Sequence, residues 1–143
     1  MNIGIKFEKY IQNLYINRGY KNVRHNKTLR KGKYKSQIDV LYSNYFKDYF
    51  IECKYRKKGS LVRLDEVAKF VAVLELHGIN PNKGEIITNR HLDLRGKIYA
   101  KKMDLKVYER DDLIDLERKG WPIWKRYFGK DPNLEKLIRK SYI

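Results

Sequence analysis

Two short stretches decide the fold: Gln37-Ile38-Asp39-Val40-Leu41 and Phe50-Ile51-Glu52-Cys53-Lys54. Each is rich in β-branched or aromatic residues, and Ser43-Asn44 and Lys47-Asp48 between them carry turn residues. Residues 37–42 and 49–55 are therefore predicted to pair as an antiparallel hairpin. Alternate side chains of a strand share a face, so Glu52 and Lys54 project together while Ile51, Cys53 and Tyr55 point into apolar packing. On the first strand Ile38 and Val40 face one side, and Gln37 and Asp39 the other. A hairpin in suitable register sets Asp39 beside Glu52 and Lys54. Two carboxylates at close range repel, and each is partly desolvated on a core strand, a conflict that a divalent cation resolves. Mg²⁺ takes oxygen ligands, one or two carboxylates with waters and a phosphate oxygen, and this is the inventory on offer.

Upstream, Ile3, Phe7, Tyr10, Ile11 and Leu14 recur at helical spacing over residues 3–18, and Gly19 stands where a helix terminates. A short extended piece around Val23 leads into residues 27–35, read as a flexible basic loop. Downstream, residues 64–77 place Val67, Phe70, Val71 and Leu74 on one helical face, with Gly78 at the end. Residues 84–88 read as a strand, 91–103 contain a helical stretch through Leu94, Ile98 and Tyr99, and 106–108 form a further strand. A short helix over 111–119 begins with acids, as the helix dipole favours, and a last helix starts near Pro132. The order helix, hairpin, helix, strand, helix, strand predicts an α/β fold with a mixed central sheet flanked by helices. Residues 1–119 are expected to form the core and 120–143 an extension. That extension carries Trp121, Trp124, Tyr127 and Phe128 beside Lys125 and Arg126, and is expected to pack on the core or a dimer partner, with base stacking as the alternative.

The chain has 143 residues, with 33 Lys+Arg against 17 Asp+Glu and a net charge of +16. A content of 42% hydrophobic and 13% aromatic residues supplies a core and excludes a disordered basic tail, so the charge points to a polyanionic partner. Ten of the cations and one acid fall in residues 1–36. Cys53 stands alone, which excludes an internal disulfide and a multi-thiolate zinc site; it reads as a small buried filler. His25, His77 and His91 have no metal-ligand spacing, and there is no glycine-rich phosphate loop. The longest apolar run, residues 70–74, is far short of the roughly 20 that a membrane helix needs, and the N-terminus lacks a signal-peptide core. A cytoplasmic location with no membrane contact is the expectation.

The segments resemble the PD-(D/E)xK nuclease superfamily, whose signature is an acid, a hairpin crossing, then acid-x-Lys: here Asp39, Glu52 and Lys54. The likeness is closest to the Mrr-like restriction endonuclease catalytic domain. It runs through Gly4-Ile5-Lys6-Phe7-Glu8, Gly19-Tyr20-Lys21-Asn22-Val23, Gln37-Ile38-Asp39-Val40, Ile51-Glu52-Cys53-Lys54-Tyr55 and Gly84-Glu85-Ile86-Ile87-Thr88, in family order over about residues 1 to 115. The resemblance implies a restriction-endonuclease-like core and metal-dependent hydrolysis of DNA phosphodiesters. Asp39, Glu52 and the backbone carbonyl of Cys53 would hold Mg²⁺, with Mn²⁺ able to substitute. Lys54 would orient or help deprotonate the attacking water and stabilise the phosphorane charge. Glu8 would be an auxiliary acid acting on the metal through a water. Gln37, Lys69, Arg30, Lys31, Lys33 and Lys35 are the candidate substrate contacts. A homodimer is expected, because cutting both strands needs two sites. The resemblance leaves two alternatives open, a structure-selective nuclease like the archaeal Holliday-junction resolvases and a non-catalytic nucleic-acid-binding module. Members of the Mrr-like group usually carry a separate DNA-recognition domain, for which 143 residues leave no room. Target choice is then expected from the basic loop, the C-terminal aromatics, dimer geometry or a partner protein.

Overall fold

Helix α1 (Ile3–Asn17) begins where the Asn2 side chain accepts the Ile5 N–H at 2.8 Å. It ends in a Schellman turn: Gly19, at φ +87°, donates to the Ile16 carbonyl and Tyr20 to that of Tyr15. The turn aims the chain into β1 (Lys21–Lys31), followed by β2 (Tyr34–Asn44) and β3 (Lys47–Lys54). Helix α2 (Leu64–Leu76) closes the same way, with Gly78 and Ile79 donating to Glu75 and Leu74. Then come β4 (Gly84–Thr88), α3 (Leu94–Lys102), β5 (Lys106–Tyr108), α4 (Arg110–Lys119) and α5 (Asn133–Lys140). This is a computed structural model that describes residues 2–121 and 132–140.

The strands lie in the order β1-β2-β3-β4-β5, antiparallel through β3 and parallel from β3 to β5, as the predicted mixed sheet requires. Val40 is opposite Ile51, and β4 sets Ile86 beside Glu52 and Thr88 beside Lys54. Helices α2 and α3 bury one sheet face through Phe70, Leu74 and Ala100 against Leu41, Phe50 and Ile86. Helices α1, α4 and α5 bury the other, with Phe7, Ile11, Leu113 and Leu134 against Val40, Ile51 and Ile87. Each such side chain, fully buried, stabilises by about 1.5–3 kcal/mol. Helix α5 is tied down as well: Glu117 accepts the Asn133 and Leu134 N–H groups at 2.7 and 3.2 Å, and Arg110 meets both Glu135 oxygens at 2.6 and 2.7 Å. No helix among the described residues is long and apolar enough to cross a membrane.

Two expectations need correction. Residues 27–35 are not a flexible loop: β1 and β2 continue through them, with Arg30 opposite Lys35 and Lys31 opposite Tyr34, around a two-residue turn begun by Gly32 at φ +58°. The pairing is carried by backbone, and with Leu29 the one half-buried side chain there, composition gave no sign of a strand. The turn between β2 and β3 is Tyr45-Phe46 alone, since Ser43-Asn44 and Lys47-Asp48 are paired strand residues. The helical stretch expected within residues 91–103 is α3, on which Leu94 and Ile98 are 72% and 61% exposed while Gly96 and Ala100 face inward. A Cβ on Gly96 would stand 3.4 Å from Val67 Cγ2, so the small residues set the close approach of α3 to α2. Trp121 is buried; Trp124, Lys125, Arg126, Tyr127 and Phe128 lie outside the described residues.

Gly84 is enclosed on the α2 side, where a Cβ would fall 2.5 Å from Leu74 Cδ1 and 2.8 Å from Leu105 Cδ1. Gly84→Ala is expected to destabilise the protein by about 1–3 kcal/mol, read as a lowered urea midpoint. An unchanged midpoint would mean that the α2–β4 contact relaxes freely.

Candidate functional site

Val23 packs on the α1 side of the sheet and Leu29 on the α2 side, although six residues along one strand should leave them on the same face. Val40 and Ile38 are split in the same way on β2. Both strands therefore turn over at Asn26, whose φ is +61°, and Asp39, which lie between the pairs His25–Val40 and Lys27–Ile38. At this point the β2–β3 ladder stops, its last pair being Val40–Ile51, while β3 runs on to Lys54. The Cys53 N–H is donated instead to Asp39 Oδ2, at 2.8 Å. A side-chain carboxylate has taken the place of a strand carbonyl.

That bond fixes Asp39 next to Glu52. Glu52 is pushed up to about 8, first by burial, then by its hydrogen bond to Asp39 and that residue's charge; Lys54 opposes the rise and Glu8 adds to it. Four predicted residues are thus brought into one electrostatic cluster: Asp39, Glu52, Lys54 and Glu8. The Cys53 thiol, pushed well up by burial and by the Asp39, Glu8 and Glu52 charges, is held as a neutral filler. Glu8 projects from α1, and its Oε1 lies 2.9 Å from His25 Nε2, with 21% of each side chain exposed. His25 is not among the site residues expected from the sequence. Its position two residues after Val23 was the available signal, because a strand through Val23 turns His25 toward α1.

The chain beyond Lys54 is fastened to the sheet. The amide of fully buried Asn89 accepts the Arg56 N–H at 2.7 Å and donates to the Arg56 carbonyl at 2.9 Å. Arg56 is ion-paired with Glu66, whose other oxygen caps α2 at the Arg63 N–H. Gly59, at φ +82°, and the Ser60 N–H to Lys57 carbonyl bond close a turn that leaves Lys57 and Lys58 exposed just past the acidic pair. These two cations were also missed. Of the predicted substrate contacts, Lys69 is exposed on α2, and Gln37 is exposed opposite Thr28. The alternation meant to seat Gln37 beside Asp39 is interrupted at Asp39 itself. Arg30, Lys31, Lys33 and Lys35 are exposed at the hairpin tip, whose Ser36 Oγ is 2.9 Å from His77 Nε2 at the C-terminal end of α2.

Among the described residues no group of three or more His, Cys, Asp or Glu side chains is gathered as a ready-made cage for a cation. The donors fit Mg²⁺ all the same, since this ion takes one or two carboxylates and completes its shell with water. A proton held between two acids is what a cation would displace.

A profile of the Mrr_cat restriction endonuclease family matches residues 3–116. The chain belongs to that family. It is accordingly a nuclease-family domain of the restriction-endonuclease superfamily, and the five-stranded mixed sheet between helices is the fold of its structural neighbours. The protein of unknown function AF1548 superposes with a TM-score of 0.68 at 22% identity, over 98% of this chain and 79% of that one. Can2 from Sulfobacillus thermosulfidooxidans, solved with cyclic tetra-adenylate, gives 0.61 at 23%, over 79% of this chain and 34% of its own. The DNA modification-dependent restriction endonuclease AspBHI gives 0.52 at 11%, over 96% and 36%. The Mrr_cat-type chain thus spans about a third of the length of Can2 and of AspBHI. A search of curated proteins found no match.

The raised Glu52 gives a pH signature. Its proton is bound more tightly in the folded chain, so the associated stability is present below the ordinary carboxylate value of 4.5 and is lost as pH rises through about 8. In chelator, the melting temperature is expected to fall between pH 5 and 8, and Glu52→Gln to flatten that fall and melt about 3–6 °C higher at pH 8. Thermal unfolding followed by circular dichroism decides it; parallel pH curves for the two proteins would show that the pair carries no such strain.

Proposed function

We propose that the chain is a Mg²⁺-dependent DNA endonuclease whose site is built on Asp39, Glu52 and Lys54. The observation that carries this reading is the hydrogen-bonded Asp39–Glu52 pair, held half-buried in a family nuclease domain of net charge +16. Asp39, Glu52 and the Cys53 carbonyl would hold the ion, and Mn²⁺ has the same ligand preference. When bound, the ion supplies Lewis-acid stabilisation of the phosphoryl charge and a lowered water pKa. The chain's own part is positional and electrostatic. Asp39 stays in place because the Cys53 N–H holds one of its oxygens. Lys54 shares the β3 face of Glu52, where its ammonium orients the attacking water and meets the charge that develops on phosphorus. Glu8, anchored by His25, would hold a water over the same face. Lys57 and Lys58 would take phosphates beside the scissile one, with Gln37, Lys69 and the Arg30, Lys31, Lys33 and Lys35 hairpin as outer contacts. A homodimer would supply the second site for double-strand cutting, and a cytoplasmic setting suits a DNA substrate.

The test incubates the protein with Mg²⁺ or Mn²⁺ on plasmid, linear duplex, single strand and a four-way junction. Asp39→Ala and Lys54→Ala are expected to lose at least about 100-fold in cleavage rate, and Glu8→Gln or His25→Ala about 10-fold. Cleavage at the wild-type rate by Asp39→Ala and Lys54→Ala would sink the site. Preference for the junction would turn the reading toward a structure-selective nuclease, and DNA affinity without cleavage toward a binding module. Replacing Lys57 and Lys58 by Ala together is expected to lower the salt slope of DNA binding by about 1–2.

A further inference from the structure

The two residues that turn β2 into β3 are Tyr45 and Phe46, at φ +50° and +66°. Two left-handed positions in succession are the geometry of the tightest hairpin turn, for which Asn-Gly is the low-energy choice. A side chain with a Cβ pays about 1–2 kcal/mol at each. Neither ring gives the fold anything in return, since Tyr45 is 87% exposed and Phe46 fully exposed. Large aromatic groups therefore stand in solvent at two positions where they weaken the turn.

The surface around them is cationic. Lys47 flanks the turn opposite Asn44, and Lys21 pairs with Ser43. Tyr49 stacks on Tyr42 with ring centroids 5.1 Å apart, and the ammonium groups of Lys83 and Lys106 stand 5.2 and 5.7 Å from the Tyr49 ring centre. The acid beside the tip, Asp48, is engaged by Ser43 Oγ at 2.7 Å. Lys83 and Lys106 lie at the starts of β4 and β5, so all these groups share the edge of the sheet where β3, β4 and β5 begin. Asp39 is five residues up β2 from Asn44, about 17 Å away at the rise of a strand. The tip is thus a separate surface at the other end of the sheet from the acidic pair.

Exposed ring faces among ammonium groups match a ligand with flat bases and a phosphate backbone. Bases inside a duplex present no face, whereas unpaired bases do, and each stacked base contributes about 1–3 kcal/mol. We propose that Tyr45 and Phe46, with Lys47, Lys83 and Lys106, form a second nucleic-acid contact that takes unpaired bases of single-stranded DNA. It rests on the nucleic-acid reading of the protein's charge and not on cleavage at Asp39. Four lysines against one acid favour this ligand over a protein surface.

The test measures binding of a fluorescent oligo-dT of about 16 nucleotides, and of a blunt duplex, by anisotropy in chelator with the full chain. Tyr45→Asn combined with Phe46→Gly is expected to melt at or above the wild-type temperature and to bind oligo-dT about 10-fold more weakly, with duplex affinity changed less than 2-fold. Lys83→Ala with Lys106→Ala is expected to lower the salt slope for oligo-dT. Unchanged oligo-dT affinity in the tip variant, an equal loss on duplex, or a melting temperature several degrees lower would each overturn the proposal. No oligo-dT affinity in the wild type would do so too, and would leave a protein contact as the use of the tip. Cleavage assays on the same samples keep the two readings apart: a selective loss of oligo-dT binding supports the tip contact whether or not the wild type cuts DNA.

Discussion

The hydrogen bond from the Cys53 N–H to Asp39 is the constraint on which the site depends. The hairpin leaves the plane of the sheet at Asn26 and Asp39, so β3 is without its β2 partner from Glu52 onward. A backbone N–H stranded there would cost about 1–3 kcal/mol. Asp39 removes that penalty and, in the same geometry, brings a carboxylate against Glu52. The departure of the hairpin and the creation of an acidic pair are one event.

A second buried acid shows why the first is chemically distinctive. Glu85 on β4 is 1% exposed, and its oxygens accept from the hydroxyls of Tyr15 and Tyr42 at 3.2 and 2.5 Å. Burial raises its pKa, but Tyr42, Lys106, Tyr15 and Tyr108 all counter the rise. The tyrosine hydroxyls are in turn pushed upward by burial and by the Glu85 charge. Glu85 is thus a satisfied acid that ties α1, β2, β4 and β5 together. Glu52 has another acid as its hydrogen-bond partner, which is the arrangement that calls for a cation.

The cations are distributed around this frame with more order than their number suggests. Lys57 and Lys58 ride on a turn held by Asn89 and by the Arg56–Glu66 pair, just after Lys54 in the chain. The Arg30 to Lys35 hairpin is seated at the C-terminal end of α2 by Ser36 and His77. Lys47, Lys83 and Lys106 occupy the opposite edge of the sheet. These nine cations therefore form three separate surfaces, each held by a different part of the core.

The sequence by itself determined the family, the mixed α/β sheet and the acid, acid and lysine of the candidate site, because these depend on local periodicity and on residues at short spacing along two strands. The helix ends at Gly19 and Gly78 were equally legible, since only glycine adopts that turn at little cost. Tertiary structure alone decided the rest. The turnover at Asn26 and Asp39 broke the alternation by which Gln37 had been placed, and two strands replaced the basic loop because their pairing lies in the backbone. Leu94 and Ile98 came out exposed because Gly96 and Ala100 set how closely α3 meets α2. His25 reached Glu8, and Asn89 reached Arg56, across 17 and 33 residues of chain. No spacing rule spans such gaps; only the packing of helices and loops on the sheet brings those side chains within hydrogen-bond reach.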